Sequence, residues 1–321
     1  MEIGVLTNLY ANKSLDETLR HLSGLGVTMA EIGCGGYPGK AHADPSILLN
    51  DEKEFQKFIR TFKKYDMKIS AFSAHGNPVH PDEATAKMYH EDFVNAVLLA
   101  EKAEVDTLVT FSGCPGDGQS RYPNWVTCPW PEDYLKVLDY QWNEVLIPYW
   151  AKAAEFARAH GVTKIAFEMH PGFCVYNPET CLKLRAAVGD TLGANLDPSH
   201  LIWQGIDIIA AIRKLGPAIY HFHAKDTKVD AINTAVNGVL DTKHYSDELN
   251  RSWIFRTLGY GHGIEFWKDI VSALRLVGYD KVMSIEHEDS LMSVDEGLSK
   301  AVAVLKEAVM FSGKPSGMSW A

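Results

Sequence analysis

No apolar run in this 321-residue chain approaches the roughly 20 residues needed to span a bilayer, so no membrane anchor is expected. Basic residues are outnumbered: 31 Lys and Arg stand against 41 Asp and Glu, a formal charge of −10. The densest basic pair, Lys63-Lys64, falls on an expected helix face. A nucleic-acid partner needs clustered Lys and Arg, and none is expected here. Cysteine is sparse as well. The five (Cys34, Cys114, Cys128, Cys174 and Cys181) form no CxxC pair, and their odd number favours reduced thiols and a cytoplasmic protein. The chain enters the strand-like run MEIGVLT at once, so no charged leader is expected. Low-complexity tracts, linkers and repeats longer than a strand–helix unit are missing, which implies one domain over residues 1–321. What remains, 46% apolar and 22% charged, is enough to bury a large core.

Strand and helix patterns alternate along the whole chain. Strands are expected over Ile3–Thr7, Met29–Gly33, Lys68–Ser73, Thr107–Ser112, Lys164–Met169, Leu192–Leu196, Ile219–His223 and Val282–Glu286. Helices are expected near Ser14–Leu25, Asp51–Tyr65, Asp82–Ala103, Glu132–His160, Pro178–Val188, Ile206–Lys214, Ile264–Val277 and Val294–Met310. Eight of each, strictly alternating, specify a (β/α)8 TIM barrel. A doubly wound open sheet would want a Gly-rich phosphate turn after its first strand, and TNLYANKS is not one.

Ser14-Leu15-Asp16-Glu17 has the form of a capping box, and Asn177-Pro178 pairs an N-cap with a first-turn proline. The Glu132–His160 stretch is long for one helix, and Pro148 is expected to kink or split it. Two connections, residues 113–131 and 226–263, exceed what barrel turns need and are expected to hang over the barrel mouth. They carry Tyr122, Trp125, Trp130, Tyr245 and Trp253, rings that either stack on a sugar, Trp125 foremost, or pack over the barrel top. The terminal GKPSGMSWA reads as a frayed end or an arm onto a second subunit, which leaves a homodimer open.

Four residues close four apolar runs: Glu168 in IAFEMHPG, Asp197 in ANLDPSH, His223 in IYHFHAKD and Glu286 in MSIEHED. In a barrel the C-terminal strand ends share one mouth, so these groups should converge on one point. Three carboxylates and an imidazole form a hard, oxygen-rich set suited to one divalent ion: Mn2+ first, with Mg2+, Co2+ or Zn2+ as alternatives. Such an ion can hold a ketone and its neighbouring hydroxyl and stabilise the enediolate formed when a carbon-bound proton leaves. Glu168 and Glu286 are the natural pair to remove and return that proton. With a leaving group beside the ketone, the same chemistry gives elimination, and His170, His200 or Lys225 would be the deciding acid.

His75 ends the third strand and is expected to contact substrate. His221 lies one layer below His223 and reads as a core histidine. Glu31 either points to the mouth, as a substrate contact, or pairs with a lysine.

These motifs in this order resemble the xylose isomerase-like superfamily of sugar isomerases and epimerases, which extends to inosose dehydratases and, more distantly, AP-endonuclease-type enzymes. The resemblance spans nearly the whole chain and is densest from Lys164 to Asp289, including GYGHGIEFWKDIVSALRLVGYDKVMSIEHED. It implies that Glu168, Asp197, His223 and Glu286 are metal ligands and that His200, in DPSH, works on the substrate side. It also aligns Lys225-Asp226 with an HxKD motif and makes both substrate-binding candidates. The ketose 3-epimerases carry a second Glu and an Arg where this chain has Cys174 and Val229. EMHPGFCVYNPET, with His170 beside the first ligand, is nearer to the inosose-dehydratase and keto-glycoside branches.

The leading expectation is a metal-dependent isomerase or epimerase of a keto sugar or a derivative, a small-molecule carbohydrate. A lyase acting on an inosose or 3-keto-glycoside is the alternative. A DNA-repair hydrolase sits poorly with the acidic charge. A non-catalytic sugar-binding role would leave no metal-dependent activity to lose.

Overall fold

A computed structural model describes residues 1–313 and 317, so the expected terminal arm lies almost wholly outside the described residues. Seven strands follow in order: β1 (Glu2–Leu6), β2 (Met29–Gly36), β3 (Lys68–His75), β4 (Thr107–Thr110), β5 (Lys164–Glu168), β6 (Leu192–Leu196) and β7 (Ile219–Ala224). Next come β8 (Asp226–Val229) and β9 (Trp253–Arg256), which pair only with each other, antiparallel. Then β10 (Val282–Ile285) closes the barrel between β7 and β1. The eight barrel strands are parallel, in the order β1-β10-β7-β6-β5-β4-β3-β2.

Period-two alternation divides each strand between helices and barrel interior. Ile32, Phe72, Leu108, Phe167, Phe222 and Met283 face outward and are fully buried in the main apolar core. Trp150 and Trp267, both at 0% exposure, fill that layer from the helices Ile147–Ala159 and Ile264–Leu276. Burial of this kind contributes about 2–3 kcal/mol per large side chain before the entropy of ordering is set against it. Both expected caps form: Ser14 with Glu17, and Asn177 with Thr180.

The α pattern is interrupted just before Pro148, as expected: Asp133–Asp139 passes into a π-helical turn, Tyr140–Leu146, and then into Ile147–Ala159. The wider π spacing absorbs the carbonyl that a proline without an N–H cannot satisfy. The 226–263 connection is not a bare loop, since it contains the β8–β9 hairpin and a helix, Ala231–Asn237. In it, Trp253 is stacked flat on Trp203 at 4.6 Å, so this ring packs over the barrel top. Trp125 lies edge-on to Tyr176 at 5.4 Å.

Among the described residues no helix is long and apolar enough to cross a membrane.

Candidate metal centre

The alternation that sends Phe167 outward sends Glu168 inward, and the same holds for Asp197 after β6, His223 on β7 and Glu286 after β10. Each of the four offers a ligand atom, and these atoms all lie within 4.8 Å of one another. Asp197 is doubly placed: its Oδ1 also accepts from Ser199 N at 2.8 Å and caps the short helix Pro198–Ile202. Its Oδ2 is left for the centre.

The charges here are interlocked. Glu168 accepts from His200 Nε2 at 2.9 Å on Oε1 and from His75 Nε2 at 3.0 Å on Oε2. Lys225 Nζ reaches Glu286 at 2.7 Å, Glu288 at 3.0 Å and Asp197 at 3.1 Å. Burial would raise the Glu168 pKa, but His200, His223 and His75 hold it well below the usual carboxylate range. Burial raises the Asp197 pKa against the opposing charges of Lys225 and His200. Burial alone would lower Lys225, yet Asp197, Glu286 and Glu288 carry its pKa well above the ordinary value. The His170 pKa is pushed down to about 3 by burial and by the charge of His200.

Two atoms facing the centre, Asp197 Oδ2 and His223 Nδ1, are buried without a well-directed hydrogen bond. Lys225 Nζ is near the first at 3.1 Å, and carboxylate oxygens of Glu168 and Glu286 lie 3.1 and 3.2 Å from the second. Three clustered carboxylates and an imidazole nitrogen turned toward them are the donors a divalent cation takes. The residues present fit such an ion.

One layer down, the barrel interior is polar. Glu31, wholly buried, sits 2.8 Å from His223 Nε2 and accepts from Ser284 Oγ at 2.8 Å and from Ser73 Oγ. Glu31 therefore does not face the mouth, and its partner is a histidine rather than a lysine. Burial would raise its pKa, but His223 and His221 bring it down to about 2. His221 is the expected core histidine, with Nδ1 3.1 Å from Asn195 Oδ1. His75 depends on Gly36: a Cβ there would stand 1.7 Å from the His75 carbonyl oxygen, and φ is +61°. Only glycine allows β2 to run that close to β3.

Asp226 departs from its expected role as a substrate contact. Its side chain is fully buried and accepts from Thr227 N, His262 N and His262 Nδ1, each at 2.8 Å. It ties the start of the hairpin to the 257–263 turn, where a Cβ on Gly261 would come within 2.3 Å of its Oδ1.

A cavity of about 120 Å3 opens over the centre, with His75, His170, His200, Lys225, Glu168 and Glu286 in its wall. Trp125 is absent from it and borders an adjoining cleft with His170 and His200. Glu288, which sequence reasoning missed, is in the wall. Its only local signal was its place two residues after Glu286, beyond the strand end.

A closed parallel barrel with a candidate metal centre at the C-terminal strand ends defines the class. Residues 19–308 match the model of the xylose isomerase-like TIM barrel, and the chain belongs to that family. Over 313 residues it is 36% identical to YfiH, an uncharacterized protein of Bacillus subtilis strain 168, covering 96% of this chain and 99% of that one. Among solved structures it is similar to the probable 3-DHS dehydratase AsbF of Bacillus anthracis, with TM-score 0.65, 17% identity and coverage of 95% and 99%. A D-tagatose 3-epimerase-like protein matches with TM-score 0.65, 20% identity and coverage of 96% and 97%. The IOLI protein with a bound zinc atom matches with TM-score 0.65, 18% identity and coverage of 96% and 98%. At these identities the likeness is one of fold.

Proposed function

We propose that the protein is a divalent-metal-dependent isomerase or epimerase of a keto sugar or keto-sugar derivative, with Mn2+ as the ion and Glu168 and Glu286 as the proton-transfer pair. The observation that carries this reading is the convergence of Glu168, Asp197, His223 and Glu286 within 4.8 Å at the floor of a small polar cavity. When bound, a divalent ion supplies Lewis-acid polarisation of a ketone and the hydroxyl next to it.

The chain's own groups do the rest. Glu286 is the most exposed of the four, and Lys225 and His223 engage its Oε2; among the described residues its Oε1 has no partner and can take a carbon-bound proton. Glu168 comes from β5, separated from β10 by β6 and β7 around the barrel, and meets the substrate from another side. Removal by one carboxylate and return by the other inverts a carbon or moves a carbonyl. His200 and Lys225 donate toward oxygens that gain charge.

Elimination is a second reading. It is favoured by His200 and Lys225 over the same carboxylates, which could protonate a leaving group, while His170, with its pKa pushed down to about 3, is neutral and lines the site. Likeness to both an epimerase-like protein and a probable dehydratase leaves the barrel compatible with either outcome.

The test is proton exchange at carbon in D2O, with the metal-loaded chain offered ketoses, inososes and 3-keto-glycosides. Deuterium uptake that vanishes on chelation and in Glu286→Gln is expected. Product mass then separates isomerisation from elimination. A metal-loaded chain that exchanges no proton of any panel member would overturn the reading.

A further inference from the structure

Beside the small polar cavity over the candidate metal centre lies a second, larger and mostly apolar one of about 570 Å3. Tyr37, Phe111, His170 and Glu288 border both, so the two adjoin. Phe173, Tyr245 and Phe255 complete the larger space. It is built from two stacked aromatic pairs. Phe111 and Phe173, following β4 and β5, have ring centres 4.3 Å apart and planes 20° apart. Tyr245 and Phe255, from the excursion between β7 and β10, are 5.8 Å apart and inclined at 19°. The Phe255 ring also lies 4.7 Å from Lys225 Nζ and edge-on to His200 at 5.3 Å, so one aromatic wall reaches the centre itself.

Size and chemistry together restrict what this space accepts. Binding sites for ring-bearing small molecules fall in the range of roughly 300–1,000 Å3, which the two chambers meet together, with the outer one supplying most of the space. Among the described residues no lysine or arginine borders the outer chamber, and its acidic member is Glu288. Lys225, beside the Phe255 wall, is already paired with Glu288 at 3.0 Å, so a phosphate or carboxylate would find no unpaired cation there. A second hydroxyl-rich group would find few hydrogen-bond partners for the water it gives up. A neutral ring with apolar faces would stack on these walls.

Resting on the reading given under Proposed function, we infer that the substrate is a glycoside: its keto-sugar ring occupies the inner cavity and a neutral aromatic aglycone fills the outer aromatic chamber. The Phe111–Phe173 and Tyr245–Phe255 walls then select the aglycone, and the polar floor selects the sugar.

The test is calorimetric binding of methyl and phenyl glycosides of one keto sugar to the full-length, Mn2+-loaded chain. The phenyl glycoside is expected to bind about tenfold more tightly, from the apolar area that it buries. Tyr245→Ala, at a half-exposed position, and Phe173→Leu should each shrink that preference while leaving methyl-glycoside affinity within about twofold. Equal affinity for the two glycosides in the unaltered chain would overturn the aglycone chamber and leave the metal-centre reading standing. Binding of neither glycoside by a chain that binds Mn2+ would overturn the carbohydrate reading, and this inference with it.

Discussion

Glu31 stands directly behind His223, with carboxylate oxygens 2.8 and 3.0 Å from Nε2, while His223 Nδ1 faces Glu168 and Glu286. A carboxylate at one imidazole nitrogen holds the proton there and leaves the other nitrogen as a donor to a cation. Ser73 and Ser284 hold Glu31 in turn, so the ring orientation is set two layers deep in the barrel.

Glu31→Gln should therefore weaken divalent-metal binding by about 10–100-fold, the usual cost of removing a partner that orients a metal-ligating histidine. Competition against a chelating dye measures it, and thermal unfolding at saturating metal checks that the barrel is intact. Unchanged metal affinity would mean that Glu31 serves the fold alone.

Metal removal should also be visible without any substrate. A ligand that binds only the folded chain stabilises it by about 2.7 kcal/mol at a hundred times its dissociation constant. Dialysis against a chelator should lower the unfolding midpoint, and Mn2+ should restore it. Asp197→Asn and Glu286→Gln should lose most of that response.

Lys225 pairs with Asp197 at 3.1 Å and with Glu286 at 2.7 Å. Lys225→Met would remove that counter-charge from buried carboxylates, at a cost of about 3–5 kcal/mol. A divalent ion replaces that charge, so the variant should recover much of its stability with Mn2+. Urea unfolding with and without the ion tests this, and an equal loss in both conditions would contradict it.

Acid should loosen the excursion over the mouth. Burial would raise the Asp241 pKa, but the Ser252 and Lys243 N–H groups and the Lys243 ammonium lower it to about 2. A carboxyl depressed in the folded chain adds stability above its unfolded pKa near 4, and this is lost as pH falls toward 2. Asp241→Asn should be less stable than the unaltered chain by about 2 kcal/mol at neutral pH. The gap should close between about pH 4 and pH 2. Hydrogen exchange in residues 239–252 would locate the change.

Much of the barrel was legible because its signals are local. Apolar runs with period-two alternation marked β5, β6, β7 and β10 within a residue or so of their observed ends. The same alternation placed Glu168, Asp197, His223 and Glu286 on the inner face, so their convergence follows once eight strands close into a barrel. The hairpin was less legible: β8 and β9 are four residues each and separated by a charged stretch, too short for a periodic signal. Asp226 looked like a site residue by its position beside His223 and Lys225, and the buried turn at Gly261 and His262 claimed its carboxylate instead.

Strand periodicity, helix caps and strand-end carboxylates belong to the sequence alone, because each depends on neighbours a few residues apart. Contacts between distant segments were decided only by the closed barrel. His223 meets a glutamate 192 positions earlier, Phe255 reaches the centre from an excursion, and two aromatic pairs enclose a chamber beside it. Such pairings carry no periodic mark in the chain; they arise from register, barrel closure and the packing of loops above it.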